Sequence, residues 1–272
     1  MPEPMHPDPV PVDGIGVFDS GLGGLSVLRS LRAQLPDSAL HYVADSAHAP
    51  YGDRGEAYIV DRSQRISEHL VASGAKLLVV ACNTATAAAV ASLRSRWPAL
   101  PIVGVEPGLK PAVAATRNGR IAVMATTSTL RSAKFQQLLA RQGDGVHIVA
   151  QPCPGLVDLI ERGALDAPEL VQTVQRLCRP LLEAQVDTVV LGCTHYPFVR
   201  HLIAAAMGAQ VQVIDTSDAV ARRAAQLWAA ADVEGAPSPV ARLQTTGDPD
   251  TLRRAANSWL GFACRVEAVA GL

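Results

Sequence analysis

Lysine is scarce in this chain, which contains only Lys76, Lys110 and Lys134. None of the three stands in a segment with the other residues of a recognisable site. An enzyme that depends on pyridoxal phosphate needs a lysine to form its Schiff base. This class of enzyme is therefore not expected, and we predict that the protein uses no cofactor.

An excess of either charge is also missing. Lysine and arginine number 24 against 25 aspartate and glutamate residues, so the formal net charge is −1. Nucleic acids and anionic membranes attract strongly basic proteins, so neither is an expected partner. An anionic ligand would have to be held by local groups.

Long apolar runs are absent as well. No run approaches the ~18 residues of a membrane helix, and the amino terminus lacks the residue order of a signal peptide. A cytoplasmic protein is expected. With 272 residues, of which 49% are hydrophobic, the chain can bury the core of one large or two modest domains.

The five cysteines favour free thiols over disulfides, because their number is odd and no secretion signal precedes them. Cys82, Cys193 and His195 lack the C-x-x-C and H-x-x-x-H spacings of zinc sites, so no metal is predicted. The other three cysteines do not follow a strand with polar neighbours. We assign these to packing: Cys153, Cys178 and Cys264.

Apolar, β-rich runs alternate with helical stretches after a proline-rich start. The start, residues 1–12, contains five prolines and is predicted to be a disordered tail. Apolar runs without clean alternation are typical of strands buried on both faces of a parallel sheet. The fold class is therefore α/β. The predicted strands are Ile15–Phe18, Leu40–Ala44, Leu77–Ala81, Ile102–Val105, Ile121–Ala125, Val146–Ala150, Thr188–Leu191 and Val211–Ile214.

Two of these strands are each followed by a cysteine, Cys82 and Cys193, in matching contexts. The repetition indicates two related half-domains. Ligands bind at the carboxyl ends of strands in such sheets, so the two thiols are expected to face each other. Taken alone, either one is as often an inert small hydrophobic residue.

Side chains that can hold a carboxylate follow directly after each cysteine. They are Asn83, Thr84 and Thr194. His195 lies two residues past Cys193, where it could hydrogen-bond a thiol or donate a proton to an intermediate. A histidine at such a position is otherwise a structural residue.

A glycine-rich turn follows the first predicted strand and leads into a helix from about Leu25. It matches the dinucleotide fingerprint poorly, because Ser26 stands where the third glycine belongs. One interpretation is a tight turn capped by Asp19 or Ser20. The other is that Ser20 and backbone amides bind a carboxylate or ammonium group while Asp19 orders a neighbouring acid or base.

Three further segments contain polar residues, and each segment has two possible interpretations. The loop from Asp45 to Arg54 is either an ordinary surface loop or part of a site at a strand end. The hydroxyl run Thr126–Thr129 is a helix N-cap or a ligand contact. Glu161 is either a solvated helix residue or an acid that lines the cleft.

Four motifs in order resemble those of bacterial glutamate racemases. They are Phe18-Asp-Ser-Gly-Leu-Gly-Gly-Leu, Pro50-Tyr-Gly, Ala81-Cys-Asn-Thr-Ala and Leu191-Gly-Cys-Thr-His-Tyr-Pro. The resemblance, which covers roughly Gly14 to Asp218, implies two similar parallel-sheet α/β domains facing each other across a central active-site cleft. It assigns residues 13–106 plus 216–272, ending in a helical stretch, to the first domain and residues 107–215 to the second.

The resemblance also implies which residues act. Cys82 and Cys193 correspond to the paired catalytic cysteines of the family. Its assisting catalytic groups correspond to Asp19, Asp45, Glu161 and His195. Its substrate-binding groups correspond to Asp19, Ser20, Tyr51, Gly52, Asn83, Thr84, Thr126, Thr129, Thr194 and His195. Two positions depart from the family pattern, since His48 replaces an arginine and Phe135 a tyrosine.

Racemisation of an amino acid needs removal of the Cα proton from one face and delivery of a proton to the other. Two opposed thiols meet this need if one is a thiolate and the other a thiol, with pKa values near or below about 8.5 in the loaded site. The resemblance thus implies interconversion of L- and D-glutamate, with donors around the substrate carboxylate stabilising the carbanion. It further implies a supply of D-glutamate for peptidoglycan synthesis, and a homodimer.

Three alternatives stay open at this stage. A racemase of the same group could act on aspartate or a hydantoin. A Cys-His hydrolase or amidotransferase could use Cys193 as nucleophile and His195 as base. The fold also suits a non-catalytic amino-acid-binding protein.

Overall fold

The computed structural model describes residues 13–141, 145–231, 238–269 and 271–272. The predicted disordered tail, residues 1–12, lies outside the described residues. Two parallel β-sheets, each flanked by helices, form the described part of the chain, as the sequence predicted.

The first sheet has six strands in the order β10-β9-β2-β1-β3-β4, and all neighbouring pairs run parallel. Its strands are β1 (Gly14–Asp19), β2 (Leu40–Ala44), β3 (Ala75–Val80), β4 (Ile102–Gly104), β9 (Ala241–Thr245) and β10 (Cys264–Ala268). The central strand β1 is buried along its whole length. This double-sided burial explains its continuous apolar sequence.

The second sheet has four parallel strands in the order β6-β5-β7-β8. They are β5 (Arg120–Ala125), β6 (His147–Pro152), β7 (Thr188–Leu191) and β8 (Gln212–Ile214). The cysteine-bearing segments thus belong to different sheets, because Cys82 follows β3 and Cys193 comes two residues after β7. The predicted pair of parallel-sheet α/β units is confirmed.

Helices connect the strands and cover both sheets. They are α1 (Leu25–Gln34), α2 (Glu56–Ala72), α3 (Asn83–Arg96), α4 (Leu109–Ala115), α5 (Thr127–Arg131), α6 (Ala133–Ala140), α7 (Leu156–Glu161), α8 (Pro168–Glu183), α9 (Arg200–Met207), α10 (Ser217–Ala230) and α11 (Pro249–Trp259). The helix expected from about Leu25 is confirmed. The hydroxyl of Thr126 caps α5 by accepting from the Thr129 N–H. This is the N-cap that one of the two interpretations of Thr126–Thr129 predicted.

All eight predicted strands are present, and the last part of the chain contains the expected helices in α10 and α11, but it is not helical throughout. That segment also contains β9 and β10, which extend the first sheet. Polar residues interrupt both strands, with Arg242 and Gln244 in β9 and Arg265 and Glu267 in β10. Neither strand therefore forms the apolar run by which the other strands were recognised.

The two sheets occupy separate stretches of the sequence. The strands of the first sheet lie at 14–104 and 241–268, and those of the second at 120–214. The domain limits predicted from the sequence, 13–106 plus 216–272 and 107–215, remain a prediction. One buried cluster contains side chains from both stretches, and within it the ring of Phe198 stacks on Trp259 with centroids 4.1 Å apart. None of the helices in the described ranges is long and apolar enough to cross a membrane.

Candidate active site

A narrow cavity of about 30 Å³ lies where carboxyl ends of strands from the two sheets meet. Both cysteines singled out from the sequence line it. The lining residues are Asp19, Ser20, Pro50, Tyr51, Gly52, Cys82, Asn83, Thr84, Thr126, Val157, Gly192, Cys193, Thr194 and His195. Of the predicted site residues, only Asp45, Thr129 and Glu161 are not in the cavity wall.

Cys82 lies between the end of β3 and the start of α3. Its Sγ atom accepts from the Ala85 N–H at 3.4 Å and lies 3.6 Å from the Ser20 hydroxyl. Burial, together with the nearby charge of Asp19, raises the pKa of the Cys82 thiol. These surroundings favour the thiol form of Cys82.

Cys193 contacts His195 directly, with 3.7 Å between Sγ and Nδ1. The contact between the thiol and the imidazole that the sequence predicted is thus found. The chain does not stay extended after β7: the Tyr196 N–H donates to the Cys193 carbonyl, closing a turn into a 3-10 helix, Tyr196–Val199. The turn places both side chains on the cavity.

Glu161 lies behind His195 as its hydrogen-bond partner. His195 Nε2 is 2.8 Å from Glu161 Oε1, which also accepts from the Leu22 N–H at 3.0 Å. Burial opposes the charge on His195, but the hydrogen bonds to Cys193 and Glu161 raise its pKa well above 6.5. Burial likewise opposes ionisation of Glu161, yet His195 and the Leu22 N–H hold the pKa of this carboxyl below its ordinary value.

Asp19 is fully buried at the end of β1 and organises the glycine-rich turn. Its carboxylate accepts from the N–H groups of Ser20 and Gly24, and from the Thr194 hydroxyl at 3.3 Å. Burial raises the pKa of Asp19, against the opposing effects of the His195 charge and these N–H donors. Asp19 therefore connects the turn of the first sheet to the Thr194 segment of the second.

The glycines of this turn are needed for close approach. A Cβ atom at Gly23 would collide with His195 and Thr194, and one at Gly21 with the Glu161 carboxylate. The turn thus lets the Glu161–His195 pair of the second sheet pack directly on the first. Close approach of this kind agrees with the tight-turn interpretation of the segment.

Three threonine hydroxyls meet on another side of the cavity. Thr84 Oγ1 lies 3.3 Å from Thr126 Oγ1 and 3.2 Å from Thr129 Oγ1. The neighbouring Asn83 is buried, and neither its amide oxygen nor its amide nitrogen has a partner among the described residues. A buried amide without partners is costly, so this wall is suited to a polar ligand.

Asp45 does not reach the cavity. It is fully buried in a salt bridge with Arg62, and it also accepts from the Tyr51 hydroxyl at 2.5 Å. The arginine that pairs with Asp45 belongs to α2. His48 itself contacts the Tyr58 hydroxyl on the surface.

Arg62 is the functional candidate that the sequence analysis missed. A signal was present, because Arg62 lies between Ile59 and Ile66 at positions three and four apart, on the buried face of α2. An arginine on such a face is rarely buried without a partner. The second departure, Phe135, is buried in α6.

All five cysteines are free thiols, as predicted. Cys153 and Cys178 are buried and Cys264 is half-buried in β10. In the described parts of the chain, no cluster of three or more histidine, cysteine, aspartate or glutamate side chains is arranged to hold a metal ion.

A family model described as Asp/Glu/Hydantoin racemase matches residues 15–224. The chain belongs to this family. A glutamate racemase of Pseudomonas aeruginosa is 52% identical over 241 residues, which are 88% of this chain and 91% of the relative. One from Ectopseudomonas mendocina is 50% identical over 253 residues, covering 93% and 96%.

Solved racemase structures show the same fold. Glutamate racemase RacE1 of Bacillus anthracis superposes with a TM-score of 0.86 at 31% identity, covering 95% of this chain and 98% of its own. The Escherichia coli glutamate racemase, solved with L-glutamate and the activator UDP-MurNAc-Ala, gives 0.85 at 31% identity and 94% and 100% coverage. The resemblance seen in the motifs is confirmed, and the protein is an enzyme of the racemase class.

Proposed function

We propose that this protein interconverts L- and D-glutamate without a cofactor, with Cys82 and Cys193 as the two proton-transfer groups. The observation that carries the proposal is that the two thiols, from strands of different sheets, line the same cavity. The glutamate racemases that cover about nine-tenths of this chain support glutamate as the substrate.

The surroundings of the two cysteines suit opposite protonation states. The raised pKa of Cys82 keeps it a thiol that can donate a proton. Cys193 has His195 beside it, and the raised pKa of His195 makes this imidazole a good acceptor for the Cys193 proton. A thiolate at Cys193 could then remove the Cα proton while Cys82 protonates the opposite face. For the other enantiomer the roles exchange, which requires the bound substrate to lower the raised pKa of Cys82 so that it can act as a thiolate.

The negative charge that develops on the substrate must be met by groups already in place. The hydroxyls of Thr84 and Thr126, the unpartnered amide of Asn83 and the Thr194 hydroxyl surround the cavity. We assign them to the substrate carboxylates and the amino group. Asp19 and Glu161 act through their hydrogen bonds to Thr194 and His195.

Substrate entry requires the walls to separate. A cavity of about 30 Å³ has space for water but not for an amino acid. Because its walls come from both sheets, we propose that the domains 13–106 plus 216–272 and 107–215 move apart to admit glutamate. We further propose, from the family resemblance, a cytoplasmic homodimer whose D-glutamate supplies peptidoglycan synthesis.

The test is to incubate the purified protein, treated with a chelator, in deuterated water separately with L-glutamate, D-glutamate and L-aspartate. Optical rotation and the deuterium content at Cα are measured. Interconversion of both glutamate enantiomers, with deuterium in the product, is expected. Turnover of aspartate alone would move the assignment to another substrate of the family, and inertness toward all three would reject it.

A further inference from the structure

The carboxylate of Asp45 is bound by four donors, although it lies outside the cavity. Arg62 contributes Nε at 3.0 Å and Nη2 at 2.8 Å, and Tyr51 its hydroxyl at 2.5 Å. The fourth donor is the hydroxyl of Thr246, at 2.9 Å. With both oxygens committed, Asp45 has no capacity left for a substrate.

Tyr51 is the member of this cluster that belongs to the cavity wall, together with its neighbours Pro50 and Gly52. Its hydroxyl donates to Asp45 and therefore points into the protein rather than toward a ligand. The Asp45 bond thus holds the ring, and with it the backbone of the wall, in one position. A wall fixed from behind keeps bound substrate aligned with the thiols.

We propose that Arg62 and Thr246 are positioning residues for catalysis, which act through Asp45 to fix Tyr51 against the substrate. This inference rests on the proposed function for its catalytic consequence. Arg62 suits the role because its planar guanidinium binds a carboxylate through two parallel hydrogen bonds, which a lysine cannot do. Both it and Asp45 are buried, with side chains 6% and 0% exposed.

Thr246 connects the carboxyl-terminal strands to the loop that carries Asp45. It follows β9, and its N–H donates to the Ala44 carbonyl while its hydroxyl accepts from the Ala47 N–H. The loop that carries Asp45 is therefore attached to the end of β9. Strand β9 therefore extends the first sheet, and the residue that follows it fixes the position of Asp45, which in turn holds Tyr51.

The test compares Arg62→Met and Arg62→Lys with Arg65→Met, an exposed arginine of the same helix, as the matched control. Arg62→Met is expected to lower kcat/KM about 100-fold, mainly through a higher KM, and Arg62→Lys to recover part of the loss. In a Tyr51→Phe background, Arg62→Met should cost less than it does alone, because both changes break the same connection. The control should match the wild type.

Arg62→Met leaves the buried charge of Asp45 without a partner, which by itself destabilises the fold. The double variant Asp45→Asn/Arg62→Met removes both charges, so a loss of activity in it is not explained by an unpaired buried charge. The Tyr51 hydroxyl proton is followed as well, as a slowly exchanging downfield NMR resonance assigned by its loss in Tyr51→Phe. This resonance should disappear or shift in Arg62→Met and in the double variant, but not in Arg65→Met.

The outcomes separate this inference from the proposed function. An unchanged resonance in Arg62→Met, or additive kinetic losses with Tyr51→Phe, would overturn the positioning role even if the wild type racemises glutamate. A wild type that is inert toward glutamate would reject the proposed function. The resonance would then still decide whether Arg62 holds Tyr51.

Discussion

His195 lies between Glu161 and Cys193, with Nε2 2.8 Å from the carboxylate and Nδ1 3.7 Å from the thiol. The acid comes from α7, while the histidine and the cysteine come from the turn after β7. A Cys-His-Glu series of this kind also fits nucleophilic catalysis. Cys82 in the same cavity, which a nucleophilic enzyme would not need, favours proton transfer between two thiols.

Removing the charge of Glu161 should change the pH dependence of the reaction. Glu161→Gln keeps a hydrogen-bond acceptor but loses the carboxylate that helps to raise the pKa of His195. We expect kcat to fall about 10- to 100-fold and the basic limb of the kcat/KM profile to move to lower pH. Glu169→Gln, at an exposed ion pair, is the control. An unshifted profile would exclude this role.

A methyl group at Gly23 should block the approach of the two sheets. In Gly23→Ala the Cβ atom would collide with His195 and with the Thr194 hydroxyl. We expect activity to fall at least about 100-fold. Gly55→Ala is the comparison, since its Cβ would meet nothing within 4 Å. Equal activity in the two variants, measured as initial racemisation rates, would contradict the close packing described at the turn.

The sequence was sufficient for most of the cavity wall because many of its residues follow apolar strands directly. Cys82 comes two residues after Val80 and Cys193 two after Leu191, so recognition of the strands also located the two thiols. The role of Asp45 could not be read in the same way, because its partners Arg62 and Thr246 are distant in sequence. Which carboxylate faces the cavity depends on tertiary contacts.

Local patterns were misleading at the carboxyl-terminal strands. β10 is an edge strand with mostly half-buried residues, so its sequence carries little apolar signal. Its conformation depends on pairing with β9, which lies outside the segment.

A histidine far from the cavity should make the fold sensitive to acid. Burial lowers the pKa of His41 to about 4, although its contact with Gln244, 2.7 Å away, acts in the opposite direction. The folded state thus favours the neutral ring, and the associated stability is present above about pH 6.5 and lost as pH falls toward 4.

Replacing this histidine should therefore flatten the acid side of the stability curve. His41→Gln is expected to lose about 2 kcal/mol less than the wild type between pH 7 and pH 4, measured by urea unfolding. His201→Gln, at an exposed histidine, should follow the wild type. If all three curves coincide, His41 does not limit stability in acid.

The two-thiol mechanism is tested most directly by the initial rates of glutamate racemisation, in both directions, for Cys82→Ser and Cys193→Ser, with Cys264→Ser as the control. Serine is a much weaker acid than cysteine, so at neutral pH it neither donates a proton readily nor forms the anion needed to remove one, and each active-site variant should lose more than about 1,000-fold in both directions. Cys264→Ser should retain wild-type rates. A rate within about tenfold of the wild type for either Cys82→Ser or Cys193→Ser would contradict the account.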